Sequence, residues 1–308
     1  MADTTRIEWT DATWNPVTGC TVTSPGCTNC YAMKLAGTRL QHLQSRKGLT
    51  RDTKAGPVWT GEVRFNEQWL TQPLRWKKPR RIFVCAHGDL FHESVPDEWI
   101  DKVFAVMALA PQHTFQVLTK RSARMREYMN DLWQPRLVPH LRELQKRPKG
   151  HGVLLETTNG TLPNVWLGVS VEDQTRADER IPDLLATPAA VRWISAEPLL
   201  GPVDLTKLNV PAIDDNWLNT CDALIGYNPQ TFGFDEPARL ARIDWVVAGG
   251  ESGPGARPMH IDWAQSIVDQ CQAAGVPVFV KQLSSGGPKA IKDIEQFPEG
   301  LRVREYPA

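Results

Sequence analysis

Short apolar runs recur along this chain, and each one ends at once in polar residues. Six of these runs are rich in β-branched or aromatic residues, a composition typical of buried strands. The predicted strands are residues 82–86, 115–118, 165–169, 191–194, 245–248 and 278–280. A seventh strand is predicted at 13–17, although Pro16 cannot donate to a sheet ladder.

Helical periodicity lies between several of these strands. Residues 97–109 follow Pro96 and carry apolar side chains at three- and four-residue spacing, and residues 262–274 do the same before Gly275, a typical helix C-cap. Alternation of strands and helices predicts parallel strands with crossover helices, and six or more such units favour a barrel. We therefore expect an α/β fold, a partial (β/α) TIM-type barrel of six or more parallel strands with helices outside, in one domain over residues 1–308.

Two segments interrupt the alternation. Residues 34–80 are polar and rich in Arg and Lys without clear strands, and residues 203–240 have the character of an insertion between strands. We expect both segments to cover the barrel mouth, because loops at that end of a barrel build substrate specificity.

Composition narrows the class of protein. The chain has 308 residues, of which 41% are hydrophobic and 23% charged, and its net charge is zero. This profile is that of a globular protein. The chain lacks an apolar run of about 18 residues, and its first residues lack the apolar core of a secretory signal. We expect a cytoplasmic protein without a membrane partner, and zero net charge argues against non-specific duplex binding over the whole surface. One basic run, residues 75–81, is expected to be a solvated loop before a strand.

Three of the six cysteines lie within eleven residues. Cys20, Cys27 and Cys30 have the spacing C-x6-C-x2-C, with Pro25-Gly26 forcing a turn between them. Clustered cysteines in a cytosolic protein more often bind metal or undergo redox chemistry than form disulfides. Three thiolates leave one coordination position open, which suits a zinc completed by a distant residue or a [4Fe–4S] cluster with one labile iron.

Charged residues follow the predicted strands. If the strands are parallel, these residues share the carboxyl face where barrel enzymes place their sites. They are Asp89, Lys120, Arg121, Glu172, Glu197, Glu251 and Lys281. The segment 249–258 is a second candidate: Gly249 and Gly250 allow a ligand to approach closely, Glu251 can accept a hydrogen bond from a ligand amine, and Arg257 can pair with a carboxylate or phosphate.

Several motifs together resemble a family common in phages and bacteria, known for its three cysteines and without a settled function. The matching segments span nearly the whole chain. They are residues 5–16, 19–20, 25–32, 88–92, 118–121, 168–172, 195–202 and 249–253.

That family is similar in turn to radical S-adenosylmethionine enzymes. The resemblance implies that Cys20, Cys27 and Cys30 bind a [4Fe–4S] cluster, although the first gap is six residues here against three in the common motif. It further implies S-adenosylmethionine as cofactor and an electron donor such as a flavodoxin or ferredoxin. One hypothesis for the substrate is nucleic acid, which the enzyme would modify or repair. We expect the cofactor to be held by a set of strand-end residues. The set is Lys120, Glu172, Glu197, Gly249, Gly250 and Glu251.

The catalytic residues cannot be assigned from these motifs, although Cys85 or Tyr31 is suitably placed as a hydrogen donor. Two alternatives stay open. In one, the cysteines hold a structural zinc with His87 or His92 as a further ligand. In the other, the cysteines bind nothing and the barrel is a binding module.

Overall fold

The computed structural model describes residues 4–131, 133–145, 160–210, 219–226, 241–284, 287 and 289–308. Two compact units divide the chain. The first comprises Met1–Leu167 and Thr187–Ala190, and the second comprises Gly168–Ala186 and Val191–Ala308. The expectation of a single domain over residues 1–308 stays a prediction. Of the expected insertion at 203–240, residues 211–218 and 227–240 lie outside the described residues.

The first unit contains the parallel strands that precede and follow the first predicted helix. Its strands are β1 (Ala12–Trp14), β2 (Val17–Thr18), β3 (Thr50–Thr53), β4 (Gly56–Trp59), β5 (Arg64–Phe65), β6 (Arg81–Val84) and β7 (Thr114–Thr119). Its helices are α1 (Tyr31–Gly37), α2 (Glu67–Leu70), α3 (Asp97–Ala108), α4 (Ser122–Asn130) and α5 (Trp133–Gln145). Strand β6 pairs in parallel with β1 on one side and with β7 on the other.

The predicted strand at 13–17 is divided at the proline. Strand β1 ends at Trp14, and β2 begins at Val17 and pairs antiparallel with β5 instead of β6. Pro16 has no N–H for the ladder, so the parallel pairing stops before it. The chain is thereby redirected just before the first cysteine.

Residues 34–80 contain short strands, and the expectation that they lack strands is wrong. Strands β3 and β4 form an antiparallel hairpin in which Thr50 lies opposite Trp59. Three of the four β3 residues are exposed. A strand without a buried face shows no apolar alternation, so the hydrophobic pattern gave no signal here.

The basic residues before β6 lie where the sequence predicts. Arg75, Lys77 and Lys78 are exposed, and β6 begins at Arg81. The expectation of a solvated loop before a strand is confirmed.

The second unit contains the later strands and the second predicted helix. Strand β8 (Val165–Ser170) begins in the first unit and ends in the second. The other elements of the second unit are α6 (Gln174–Leu185), β9 (Val191–Ala196), β10 (Leu208–Val210), β11 (Asn219–Cys221), β12 (Trp245–Gly249), α7 (Ile261–Ala274) and β13 (Val278–Gln282). Strand β12 pairs in parallel with β9 and β13. Gly275 caps α7 with a left-handed φ of 65°, as predicted.

The six predicted strands and β1 form one seven-stranded sheet, in the order β1-β6-β7-β8-β9-β12-β13. All six predicted strands and both predicted helices are present, with bounds that differ by one or two residues. The expected class, an α/β partial barrel with six or more parallel strands, is confirmed. Among the described residues, no helix has both the length and the apolar character that crossing a membrane requires.

Large aromatic residues fill the core of each unit. Trp14 is fully buried and packs on Phe115, with ring centroids 5.7 Å apart, in the first unit. In the second, the buried rings of Trp193 and Trp245 lie 5.4 Å apart. These tryptophans anchor the strands whose carboxyl ends carry the charged residues considered next.

Candidate functional site

The cysteine loop begins where β2 ends. Gly19 has a φ of 98°, and a Cβ at this position would stand 2.1 Å from the Glu62 carbonyl oxygen, so only glycine fits. The Gly19 N–H donates to the His87 carbonyl at 3.1 Å, and Gly19 and Gly88 form an isolated parallel bridge. The loop is therefore tied to the segment that follows β6, at the carboxyl end of the parallel strands.

The three cysteines are free thiols held by a short helical turn. Cys27 ends a 3-10 turn, Cys30 donates its N–H to the Cys27 carbonyl at 3.2 Å, and α1 begins at the next residue. Cys27 is buried, whereas Cys20 and Cys30 are half-buried. Tyr31 donates its hydroxyl hydrogen to the Ala86 carbonyl at 2.6 Å, which fixes the far end of the loop on the residues after β6.

The three thiols differ in acidity. Burial, aided by the charge of Asp89, raises the pKa of Cys20 to about 12, while Arg121 acts in the opposite direction. Burial raises the pKa of Cys30 as well. Burial also acts to raise the pKa of Cys27, but the charge of Lys120 and hydrogen bonds near Thr23 and Ser24 outweigh it, so the net shift is downward. The Cys20 thiol is sensitive to the charges of Cys27 and Cys30, so the three sulfurs form one electrostatic group.

Arg121 connects this group to the strand ends. Its Nη1 donates to Cys20 Sγ and to Asp89 Oδ2, each at 3.2 Å, and its Nε donates to Glu93 Oε1 at 3.2 Å. Its Nη2 donates to the hydroxyl and carbonyl oxygens of Thr21. Only 5% of the Arg121 side chain and 7% of the Asp89 side chain are exposed. A buried guanidinium therefore joins one cysteine to two carboxylates.

His92 lies beside this network in a defined tautomer. Its Nδ1 accepts a hydrogen bond from the Ser94 N–H at 3.1 Å, so the proton of the neutral ring is on Nε2, which lies 3.2 Å from Thr21 Oγ1. Burial and the charge of Arg121 lower the pKa of His92. The ring is consequently neutral at ordinary pH.

An open cavity of about 750 Å³ lies next to the start of the loop in the first unit. Thr21, His92 and Glu93 line one side of it, and Glu62 and Trp99 also contribute. A volume of this size is within the range of small-ligand sites. Ligands in this cavity would lie within reach of residues adjoining Cys20 and Arg121.

The cysteines do not form a ready site for a single ion. One zinc needs all its donors about 2.0–2.3 Å from a common point. Within the part of the chain that the structure describes, no group of three or more His, Cys, Asp or Glu side chains converges in this way. An iron–sulfur cluster makes a different demand, because its cysteine sulfurs bind separate irons and stand further apart.

Strand ends of the second unit carry a separate set of ion pairs. Glu172, after β8, is fully buried and its Oε2 accepts from Arg180 Nη1 of α6 at 3.0 Å. Glu197, after β9, has its Oε1 at 2.9 Å from Lys281 Nζ of β13, although this oxygen makes no hydrogen bond of good geometry, so the contact is mainly electrostatic. Glu172 is thus a structural ion-pair partner, whereas Glu197 is partly accessible.

The glycine segment after β12 supports this arrangement. A Cβ on Gly249 would stand 2.8 Å from Glu197 Oε1, and a Cβ on Gly250 would stand 3.0 Å from the Ser284 nitrogen. Glu251 is buried, and Arg257 binds it through Nε and Nη2, at 3.0 Å and 2.6 Å, as well as through the backbone N–H. Gly249 therefore makes room for Glu197, and Arg257 binds a carboxylate of its own chain in this structure.

The predicted site residues thus fall into two groups. The structure brings Cys20, Cys27, Cys30 and Lys120 together in the first unit, where Lys120 influences Cys27 and Cys30 electrostatically. Glu172, Glu197, Gly249, Gly250 and Glu251 all lie at strand ends of the second. Cys85, proposed as a hydrogen donor, is buried, and burial raises its pKa to about 12.

Sequence reasoning missed two partners. Arg180 lies eight residues beyond Glu172 on α6, and nothing in its local sequence marks it. Asp89 was predicted at a strand end, but its role as the carboxylate that holds Arg121 becomes visible only through the pairing of β6 with β7.

These features define a class: an α/β protein with a parallel sheet whose first strands lead into a loop of three cysteines. The chain belongs to the family described as "Protein of unknown function (DUF5131)", whose family model matches residues 4–303. No curated protein and no solved structure matches it. Membership in a family of unsettled function is confirmed, while the relation to radical S-adenosylmethionine enzymes stays a prediction.

Proposed function

We propose that this chain binds a [4Fe–4S] cluster through Cys20, Cys27 and Cys30 and acts as a radical S-adenosylmethionine-type enzyme. The position of the cysteine loop carries the proposal. Gly19 leads into the loop from β2 and bonds to the residues after β6, at the carboxyl end of parallel strands. Cofactors and substrates of α/β proteins bind at that end of the sheet.

Charge balance gives a second line of support. Three thiolates on one loop repel one another, so they persist only beside positive charge. Lys120 and Arg121, at the end of β7, supply two cations that act on Cys27 and Cys20. These cations offset only part of the effect of burial, which raises the pKa of Cys20 and Cys30, so we expect both thiols to lose their protons when the metal binds.

The cluster, when bound, would supply the electron for reductive cleavage of S-adenosylmethionine. The chain's own residues have narrower tasks. The Tyr31 hydroxyl group holds the loop against the Ala86 carbonyl. Glu197, Gly249, Gly250 and Glu251 are proposed contacts of S-adenosylmethionine. Lys120, which acts electrostatically on Cys27 and Cys30, is a further proposed contact. Glu172, fixed by Arg180, supports the end of β8.

The first test is metal content after purification without air. We expect about four irons and four sulfides per chain, since a [4Fe–4S] cluster requires that ratio. The variant Cys20→Ala/Cys27→Ala/Cys30→Ala should lose both. The control, Cys221→Ala/Cys271→Ala, removes two buried thiols of the second unit and should keep them.

Other results contradict the proposal in distinct ways. About one zinc per chain and no iron would establish the structural-zinc alternative. A protein free of metal after anaerobic reconstitution would refute the cluster and would mean that only the fold resembles those enzymes. Equal iron in the triple variant and its control would show that the iron is adventitious.

The second test addresses the enzyme class. Loaded protein, reduced by dithionite or by a reduced flavodoxin or ferredoxin, should convert S-adenosylmethionine to methionine and, with a hydrogen atom taken from substrate or buffer, to 5′-deoxyadenosine. Glu197→Gln should weaken binding of S-adenosylmethionine, whereas Glu295→Gln, an exposed control in the same unit, should not. Loaded protein that fails to bind or cleave S-adenosylmethionine would refute this class while leaving the cluster in place.

We propose nucleic acid as the substrate class on narrower grounds. Lys77 and Lys78 are exposed in the basic loop before β6, where they can contact phosphates. Lys77→Gln/Lys78→Gln should weaken binding to DNA or RNA and flatten its salt dependence, while Lys54→Gln, an exposed lysine of the β3–β4 turn, should not. Absence of binding at low salt would refute this substrate class.

A further inference from the structure

We infer that Arg121 is a positioning residue that orients the Cys20 sulfur as a cluster ligand, with Asp89 holding its guanidinium in place. The inference rests on the proposed function. It assigns roles to two residues outside the three-cysteine motif: Asp89, which follows β6, and Arg121, which follows β7.

The guanidinium contacts Cys20 in a geometry with little freedom. Nη1 is 3.2 Å from both Cys20 Sγ and Asp89 Oδ2, so the nitrogen that donates to the sulfur also donates to the carboxylate that holds the arginine. Nε is bound to Glu93, and Nη2 is bound to Thr21, the residue after Cys20. Because the planar fork is held at all three nitrogens, it presents a fixed N–H to the sulfur.

Asp89 is also held by groups other than the arginine that it anchors. Its Oδ1 accepts from Thr119 Oγ1 at 2.7 Å and from the Phe91 N–H at 3.0 Å. Its Oδ2 accepts from the Lys120 N–H at 3.2 Å in addition to Arg121. Because three donors other than Arg121 hold the carboxylate, it stays in place if the arginine moves, and it therefore determines where Nη1 lies.

A second contact ties the arginine to its own strand end. The Arg121 N–H donates to Thr119 Oγ1 at 2.9 Å, and the same hydroxyl group donates to Asp89. Strand register and hydrogen bonding thus set both ends of the Asp89–Arg121 pair before any metal is present. The pair is a preorganised support for one of the three ligands.

Two measurable consequences follow for a bound cluster. Residues that orient metal ligands by hydrogen bonding are worth about 10–100-fold in metal affinity. In addition, a cation that donates to a ligand sulfur stabilises the more negative, reduced state of a cluster, because reduction adds negative charge. Loss of Arg121 should therefore weaken cluster retention and shift the reduction potential to a more negative value.

The experiment compares Arg121→Met, Arg121→Lys and Asp89→Asn in the full-length protein after anaerobic reconstitution with iron and sulfide. Cluster loss to a chelator and the midpoint potential are measured for each. The control is Arg124→Met, one turn along α4, whose side chain binds the Val95 carbonyl and Asp97. Arg121→Lys keeps the charge beside buried Asp89, so it retains a folded reference if Arg121→Met unfolds.

We expect about 10–100-fold faster loss of the cluster in Arg121→Met, with a more negative potential. Arg121→Lys should restore most of the potential but not the retention, because it keeps the charge and loses the fork. Asp89→Asn should weaken retention and, because it removes a negative charge that acts on Cys20, shift the potential to a more positive value. If Arg121→Met folds and its midpoint potential equals that of wild type, the inference is overturned. If Arg121→Met unfolds, the inference is overturned when Arg121→Lys retains the cluster as well as wild type does. Either result leaves the proposed function standing. Wild-type protein that takes up no iron would overturn both.

Discussion

Acid should destabilise the protein through His87, which lies beside the cysteine loop. Burial, together with the charge of Arg46, lowers the pKa of His87 from 6.5 to about 4. Its Nδ1 is buried without a hydrogen-bond partner, and its ring meets Tyr31 edge to face at 5.9 Å. The folded protein therefore favours the neutral ring, and protonation favours the unfolded chain.

The sign and size of the effect follow from this shift. Because the folded pKa lies below the unfolded one, the stabilisation is complete above pH 6.5 and is lost as the pH falls towards 4. Each pKa unit corresponds to about 1.4 kcal/mol, so His87 should remove about 1.4 kcal/mol by about pH 5.5 and about 3 kcal/mol by about pH 4.

The assay is urea unfolding of wild-type protein and His87→Phe at several pH values from about 7.5 to about 4.5. Phenylalanine keeps the ring and removes the titration, so the free energy of unfolding should fall less steeply in the variant than in wild type. Other groups titrate in both proteins and cancel in the difference. His42→Phe, at an exposed histidine of the same unit, should leave the wild-type slope unchanged. Parallel curves for His87→Phe and wild type would refute the assignment.

Three other perturbations have defined outcomes. Gly19→Ala should lower the free energy of unfolding in urea by more than about 1–2 kcal/mol. Gly253 has the same φ of 98° but open space around it, so Gly253→Ala should lose only the free energy of holding alanine at that φ. Equal losses in the two variants would contradict the steric argument. Glu172→Gln should lower the free energy of unfolding, measured in urea, by about 3–5 kcal/mol, because Arg180 stays buried without its carboxylate partner. A loss smaller than about 0.5 kcal/mol would contradict the buried ion pair. Iron uptake should release protons and tighten as the pH rises, because burial raises the pKa of Cys20, and uptake independent of pH would contradict that ligand.

Much of the fold follows from local sequence. The strands at 82–86 and 245–248 are predicted because continuous β-branched and aromatic runs suit strands buried on both faces. The helix before Gly275 is predicted because its apolar spacing and its left-handed cap agree. The β3–β4 hairpin could not be predicted in this way, since its first strand is exposed and lacks a buried face.

The sequence predicts which residues belong to the candidate site but not how they pair. Clustered cysteines and strand-end charges are visible in the sequence, and parallel strands imply that the residues after β6 and β7 share an edge. What the sequence cannot show is which charge pairs with which, because that depends on side-chain directions at neighbouring strand ends. Arg121 contacts Cys20 across a separation of 101 residues, and only the pairing of strands makes that contact.

The four carboxylates predicted at strand ends each have a cationic partner in the structure. The pairs are Asp89–Arg121, Glu172–Arg180, Glu197–Lys281 and Glu251–Arg257. A charged ligand must therefore use the remaining lone pairs of these groups or replace a partner, and the cost of replacement rises with burial. Replacement is least costly where Lys281 and Arg257 are 18% and 31% exposed, and most costly where Arg180 is 2% exposed. Glu197 and Glu251 are accordingly stronger candidates than Glu172 for direct contact with a cofactor, and the same reasoning assigns Asp89, paired with an arginine that is 5% exposed, to support rather than binding.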